Sequence, residues 1–245
     1  IRNAVSNQIP FFTVIWFHTP HAPVLAGDED RELYRERPEN EQHYYGCITA
    51  MDEQIGRLRA ELDQLGISES TMIWFCSDNG PSRQGESPRA GSTRGLRGFK
   101  LSIHEGGIRV PGIMVWPGRV TPRTVDAPCV TSDYFPTLLD LLGVPRPAGR
   151  KYDGISLLPF IHGDKTERTK PIGFLNRDGQ ESAWMADRYK LLEIKGRSRL
   201  YDIKDDPAET KDLSNEYPEI HAAMLQELHA WKKGVMHELA AVNRK

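Results

Sequence analysis

Two apolar runs bracket one long amphipathic stripe near the start of this 245-residue chain. Phe11-Phe-Thr-Val-Ile-Trp-Phe17 and Thr71-Met-Ile-Trp-Phe-Cys76 are short, continuous and rich in β-branched and aromatic residues. That is the pattern of strands buried on both faces of a parallel sheet. Between them Tyr44, Ile48, Met51, Ile55, Leu58, Leu62 and Leu65 recur at steps of four and three, one face of a helix. Gly66 stands where a helix-terminating glycine belongs. Strand, helix, strand predicts a mostly parallel sheet covered by helices.

The rest of the chain divides at about residue 168. Before it, Pro111 to Pro117 reads as a further short strand. Ser132-Asp133 caps a helix holding Phe135, Leu138, Leu139, Leu141 and Leu142, and Ser156 to His162 reads as a short apolar helix or turn. After it, Ala183-Trp-Met-Ala186, Tyr189 to Ile194 and Arg199 to Ile203 are short strands separated by turn residues, an antiparallel meander. Pro218 opens a last amphipathic helix with Ile220, Met224, Leu225, Leu228 and Trp231. The expectation is an α/β part over 1–168 and a smaller antiparallel α+β part over 169–245.

A formal net charge of -2 gives no argument for a nucleic-acid partner. The longest apolar stretches are too short to span a bilayer. Cys47, Cys76 and Cys129 show no metal-type spacing and no disulfide framework, and Cys47 and Cys76 read as small buried apolar residues.

Chemistry gathers where the second apolar run ends, in Ser77-Asp78-Asn79-Gly80. A carboxylate and an amide carbonyl at the C-terminal end of a strand suit a hard divalent cation. The same residues also make a strong turn sequence. Lys100 follows in a glycine-rich loop carrying Arg83, Arg89, Arg94, Arg97 and Arg109, opposed only by Glu86 and Glu105. Such a loop attracts an anion or is simply a basic surface. His21, held between Pro20 and Pro23, can give a proton or hydrogen bond to a leaving oxygen, or be structural. His18, three residues earlier, has the weaker claim.

Taken in order, these segments resemble the C-terminal part of a type I sulfatase, of the alkaline-phosphatase-like superfamily. Phe17-His18-Thr19-Pro20-His21-Ala22-Pro23 resembles the family's F-x-x-P-H-x-P. Tyr44 through Leu58 resembles its Y-x-x-x-x-x-x-D-x-x-[IV]-G helix, and Ser77-Asp78-Asn79-Gly80 its S-D-N-G. Leu96-Arg97-Gly98-Phe99-Lys100 and Glu105-Gly106-Gly107-Ile108-Arg109-Val110-Pro111 resemble its L-R-G-x-K and E-G-G-[IV]-R-V-P. Asp187 to Leu191, Leu200-Tyr201-Asp202 and Asp206-Pro207 resemble its C-terminal subdomain.

The resemblance implies an alkaline-phosphatase-like α/β sandwich with a mostly parallel central sheet, and hydrolysis of a sulfate ester, a class that includes sulfated carbohydrates. It implies Asp78 and Asn79 as ligands of Ca²⁺ (or Mg²⁺), Lys100 and His21 on the sulfate, and His21 assisting the departing alcohol. It also implies a secreted, periplasmic or lysosomal enzyme. The family's nucleophile is a formylglycine in a C/S-x-P-x-R motif, and that motif is absent here. Pro81-Ser82-Arg83 imitates its tail, but Gly80 holds the nucleophile's place. The expectation is therefore a segment that needs a nucleophile-bearing N-terminal half and is inactive alone. Two alternatives stand beside it: a phosphodiesterase or phosphonate hydrolase of the same superfamily, and a non-catalytic module binding sulfated glycans.

Overall fold

The computed structural model describes residues 1–82, 91–176 and 178–242. They form two compact units, one of residues 1–93 with 110–121 and the other of 94–109 with 122–245.

In the first unit, short helices α1 (Arg2–Ser6) and α2 (Asp28–Glu32) precede α3 (Glu39–Gln64), the expected amphipathic helix. Gly46 lets α3 pass close to the segment before it: a Cβ there would lie 2.8 Å from the Ala26 Cβ. Gly66 follows with φ +67, a left-handed conformation that ends the helix at little cost for glycine. The strand expected at Thr71 to Cys76 is β1 (Ile73–Cys76). It pairs with β2 (Gly112–Val115) in antiparallel register, Ile73 opposite Val115 and Cys76 opposite Gly112.

That pairing departs from the parallel partner expected for β1. Residues 11–17 join no ladder among the described residues. Phe12 is 75% exposed and Trp16 91% exposed. A strand is defined by its neighbours, and an apolar run without one is only an extended chain. Cys47 is buried as expected, whereas Cys76 is half-buried, and all three cysteines are free.

The second unit is built on a four-stranded antiparallel meander: β3 (Ile172–Leu175), β4 (Glu181–Ala186), β5 (Tyr189–Ile194) and β6 (Arg197–Asp202). Tight turns join neighbours, with Gly196 at φ +74 and Asp187 at φ +44. Both faces are covered, and the alternation of side chains assigns each residue to a face. Leu191 and Leu200 share one face with Met224 and Leu228 of the long helix α7 (Pro218–Val242), Trp184 and Trp231 packing beside them. Gly173 admits that helix: a Cβ on it would lie 2.4 Å from the Trp231 ring. On the other face Ala183, Met185, Leu192 and Tyr201 pack against Ile103 and Ile108, on and beside the single turn α4 (Glu105–Ile108).

Helices α5 (Tyr134–Leu141) and α6 (Leu158–His162) complete the unit, α6 ending at Gly163 with φ +89. Asp133 and Arg168 are fully buried before α5 and β3. The Arg168 guanidinium donates two hydrogen bonds to Asp133, at 2.8 and 2.9 Å. Val130 N and Ile155 N donate to the same carboxylate, so its lone pairs are well used. No helix among the described residues is long and apolar enough to cross a membrane.

Candidate active site

In the first unit, β1 delivers Ser77-Asp78-Asn79-Gly80 at its C-terminal end, as the sequence predicts. The turn is held locally. Ser77 Oγ donates to Asn79 O at 3.0 Å, Asn79 N donates to Asp78 Oδ1 at 3.0 Å, and Asn79 Nδ2 donates to Gly80 O at 2.9 Å. Among the described residues no donor reaches Asp78 Oδ2 or Asn79 Oδ1. These two oxygens are the donor type that Ca²⁺ or Mg²⁺ takes, so the pair fits such a cation. Two ligands are not a complete sphere, and no group of three or more His, Cys, Asp or Glu side chains suited to a metal occurs among the described residues.

His21 belongs to the same unit. Its backbone N–H donates to His18 O at 2.8 Å, a tight turn within the proline-rich segment. The His18 and His21 rings stand 5.2 Å apart. His21 Nδ1 lies 2.9 Å from Ala22 O. A carbonyl only accepts, so Nδ1 carries the proton and Nε2 is left for a ligand. No hydrogen bond or ion pair joins His21 to Asp78 or Asn79 among the described residues.

Lys100 lies in the second unit, on a loop whose shape is set by glycines. Gly106 N donates to Arg97 O at 2.7 Å, closing the loop. A Cβ on Gly106 would fall 2.4 Å from Gly98 O, and one on Gly107 would fall 2.0 Å from Ser102 O. Neither backbone atom can yield as a flexible side chain could, so both positions require glycine. Gly98 has φ +82, and Leu101 is left-handed at φ +75 and largely exposed. Lys100 itself is half-buried. Its ammonium has no ion-pair or hydrogen-bond partner among the described residues, although charged residues surround it in sequence.

The arginines of this loop behave otherwise. Arg97 reaches Tyr201 Oη and Glu209 O, both at 3.4 Å, and Arg109 lies 3.4 Å from Glu105. Both arginines are exposed residues, yet their guanidinium groups already have partners within the protein. Arg83, Glu86 and Arg89 lie outside the described residues.

Beneath the loop is an ionic cluster that the motifs did not announce. Lys190, with no exposed side-chain surface, places Nζ 2.8 Å from Glu105 Oε1 and 2.9 Å from Glu209 Oε1. The second contact is an ion pair outside hydrogen-bond geometry. Glu209 Oε2 accepts from Glu105 N and from His104 Nδ1, each at 2.9 Å. Burial pushes the Glu209 carboxyl up, but His104, Lys190 and the Glu105 N–H together outweigh it and hold it below the ordinary glutamate value. The turn after β6 aims Glu209 inward. Asp206 accepts from Thr210 N and Lys211 N, and Glu209 takes a left-handed φ of +57. Glu105 and Lys190 stood within recognised motifs as a counter-charge and a strand residue. Glu209 followed Asp206-Pro207 with no pattern to mark it as buried.

Comparison with known proteins places this geometry in context. Residues 2–144 match the family described as Sulfatase, and residues 99–234 match the family described as N-sulphoglucosamine sulphohydrolase, C-terminal. Arylsulfatase G of Rattus norvegicus is 29% identical over 89% of this chain and 46% of its own length. N-acetylgalactosamine-6-sulfatase of Canis lupus familiaris is 33% identical over 73% of this chain and 33% of its own length. The crystal structure of Ps i-CgsB superposes with a TM-score of 0.86 at 26% identity, covering 94% of this chain and 52% of that one. It does so equally well in its complex with k-i-k-neocarrahexaose. The chain spans about half the length, or less, of these relatives. The α/β fold of the alkaline-phosphatase-like superfamily is therefore the fold of this chain.

Proposed function

We propose, from the premise that this chain belongs to the sulfatase family, that it supplies part of a site for hydrolysing sulfate esters. In this reading Asp78 and Asn79 hold a Ca²⁺, or less often Mg²⁺, through Asp78 Oδ2 and Asn79 Oδ1. Lys100 binds the sulfate and its bridging oxygen. His21, with Nδ1 held by Ala22 O, presents Nε2 to the sulfate and to the departing alcohol oxygen. A bound cation would stabilise negative charge on the ester oxygens. The formylglycine nucleophile and the remaining ligands would come from an N-terminal segment outside this sequence. The exposed apolar run over 11–17 supports that segment, because an apolar run with Phe12 and Trp16 in solvent is ready to be covered. The division into a catalytic part over 1–168 and a C-terminal subdomain over 169–245 belongs to the same reading.

The observation that carries the proposal is Lys100. Its neighbours Arg97 and Arg109 engage protein groups, while Lys100, a half-buried residue, engages none among the described residues. A cation that no carboxylate neutralises is suited to an anion from outside. The protein contacts of Arg97 and Arg109 weigh against a purely glycan-binding module, whose force lay in a free basic loop. A sulfated carbohydrate is the substrate class we favour, in line with the names of the N-acetylgalactosamine-6-sulfatase relative and of the matching sulphohydrolase family. A secreted, periplasmic or lysosomal site of action accompanies it.

The test uses the protein with its N-terminal segment. Sulfated sugars, aryl sulfates, steroid sulfates and the matching phosphate and phosphonate esters are assayed side by side. Sulfate esters should turn over fastest, a chelator should abolish turnover, and Ca²⁺ should restore it. Lys100→Ala should lower kcat/KM by about a hundredfold to a thousandfold, the scale of one lost electrostatic stabiliser. Preference for phosphorus esters, or a Lys100→Ala enzyme with unchanged kcat/KM, would refute the assignment. Robust aryl-sulfate hydrolysis by residues 1–245 alone would refute the need for an N-terminal partner.

A further inference from the structure

The buried ionic cluster lies directly under the loop that carries Lys100. Each of its contacts falls on a point that fixes that loop. Glu209 Oε2 accepts from Glu105 N, the first residue of α4, and from His104 Nδ1, the residue that precedes it. The next N–H, that of Gly106, donates to Arg97 O and closes the loop on its other side. Arg97 reaches back to Glu209 O. The start and end of the Lys100 loop are therefore tied to one residue, which is more than 100 positions away in sequence. Lys190 Nζ bridges the two carboxylates, Glu105 Oε1 at 2.8 Å and Glu209 Oε1 at 2.9 Å, and so neutralises part of their charge.

We propose that Glu209 is a positioning residue for Lys100: a buried carboxylate clamp that holds the anion-binding loop through His104, the Glu105 N–H and Lys190. The proposal rests on the reading of Lys100 as a sulfate ligand. Its physical content is specific. A core of apolar side chains would stabilise the unit equally well, and a buried ion pair is often no more stable than well-packed hydrophobic residues. Hydrogen bonds to a fixed carboxylate add direction, because two donors on one oxygen set where the backbone of residues 104–105 must lie. From there the crowded glycines Gly98, Gly106 and Gly107 leave the loop little freedom. Glu209 does not touch a substrate, and its effect reaches chemistry only through the placement of the Lys100 ammonium. A displacement of about 1 Å at such a group can cost about a hundredfold in rate.

The test is a double-mutant cycle in the protein carrying its N-terminal segment, read with a sulfate ester and with inorganic sulfate as inhibitor. Glu209→Gln should lower kcat/KM by about tenfold to a hundredfold and weaken sulfate inhibition by a similar factor. In the Lys100→Ala background the same change should have almost no further effect. If Glu209→Gln lowers kcat/KM by its full factor in that background too, it acts through general stability and the clamp is refuted. Hydrogen exchange gives the second reading. Glu209→Gln should speed exchange of amides 97–107 and leave those of β4 and β5 unchanged. Unchanged exchange over 97–107 would overturn the clamp whatever Lys100 does. If instead that exchange rises but Lys100→Ala leaves turnover unchanged, the clamp stands and the sulfate role of Lys100 fails. Should Glu209→Gln not accumulate folded, Glu209→Asp keeps the charge beside Lys190 while shortening the reach to His104 and the Glu105 N–H, and carries the same cycle.

Discussion

Residues 11–17 and β5 both read as short strands in sequence, and their surroundings differ completely. The first is continuously apolar, and β5 carries Lys190 and Glu193 among its apolar residues. In β5, Leu191 has no exposed surface and Leu192 is 2% exposed, while Trp16 of the first run is 91% exposed. The difference is where the partner strand comes from. β5 finds β4 and β6 through tight turns a few residues away, so the ladder closes locally. The run at 11–17 has no such neighbour among the described residues, and a strand in a parallel sheet needs a partner brought by a long crossover. Apolar composition states that a segment must be covered. It does not state by what.

The contrast can be sharpened first where burial is deepest. Asp133→Ala would leave Arg168 as an uncompensated buried charge and should cost about 3–5 kcal/mol in urea unfolding of the second unit. Leu228→Ala, beneath the sheet, should cost about 2–5 kcal/mol. Losses under about 1 kcal/mol at both positions would mean that the second unit is far looser than its packing indicates.

Acid should act on the same unit. Glu209 and Glu193 are both pushed up by burial, yet each ends below the ordinary glutamate value of 4.5, Glu209 through His104 and Lys190 and Glu193 through His229 and Lys232. A carboxyl lowered in the folded state contributes stability that is present above the unfolded value. That stability is lost as pH falls below 4.5 toward the lowered folded values. Melting temperature should therefore drop on acidification below about pH 4.5, and Glu209→Gln should flatten that slope. An identical slope in the variant would remove Glu209 from the account.

The smallest effect tests the other side of the contrast. In residues 1–245, Trp16→Ser should change stability by less than about 0.5 kcal/mol, as exposed substitutions do. In the protein with its N-terminal segment the same change should be markedly destabilising. A large loss in residues 1–245 would mean that the run is already covered.

Several elements were legible without coordinates because their determinants are local. The stripe from Tyr44 to Leu65 became α3, Thr71 to Cys76 became β1, Pro111 to Pro117 became β2, and the meander and final helix fell where turn residues and periodicity put them. β3 escaped notice because a four-residue strand containing Gly173 carries little pattern. The strand expected over 11–17 was misplaced for the opposite reason: its pattern was strong, and its partner was not local.

The sequence by itself determined the family, the order of the helices and most strands, and the residue types at the candidate site: Asp78, Asn79, Lys100 and His21. Only the tertiary structure decided that Arg97 and Arg109, both exposed, have protein partners while Lys100 has none among the described residues. It alone joined Glu105 to Lys190 across 85 positions and His104 to Glu209 across 105. Periodicity reports which residues share a face of one helix or strand, because neighbours three or four apart repeat with the backbone. It carries no record of which two faces meet. An ionic cluster drawn from three distant segments exists only once the meander has packed against the loop.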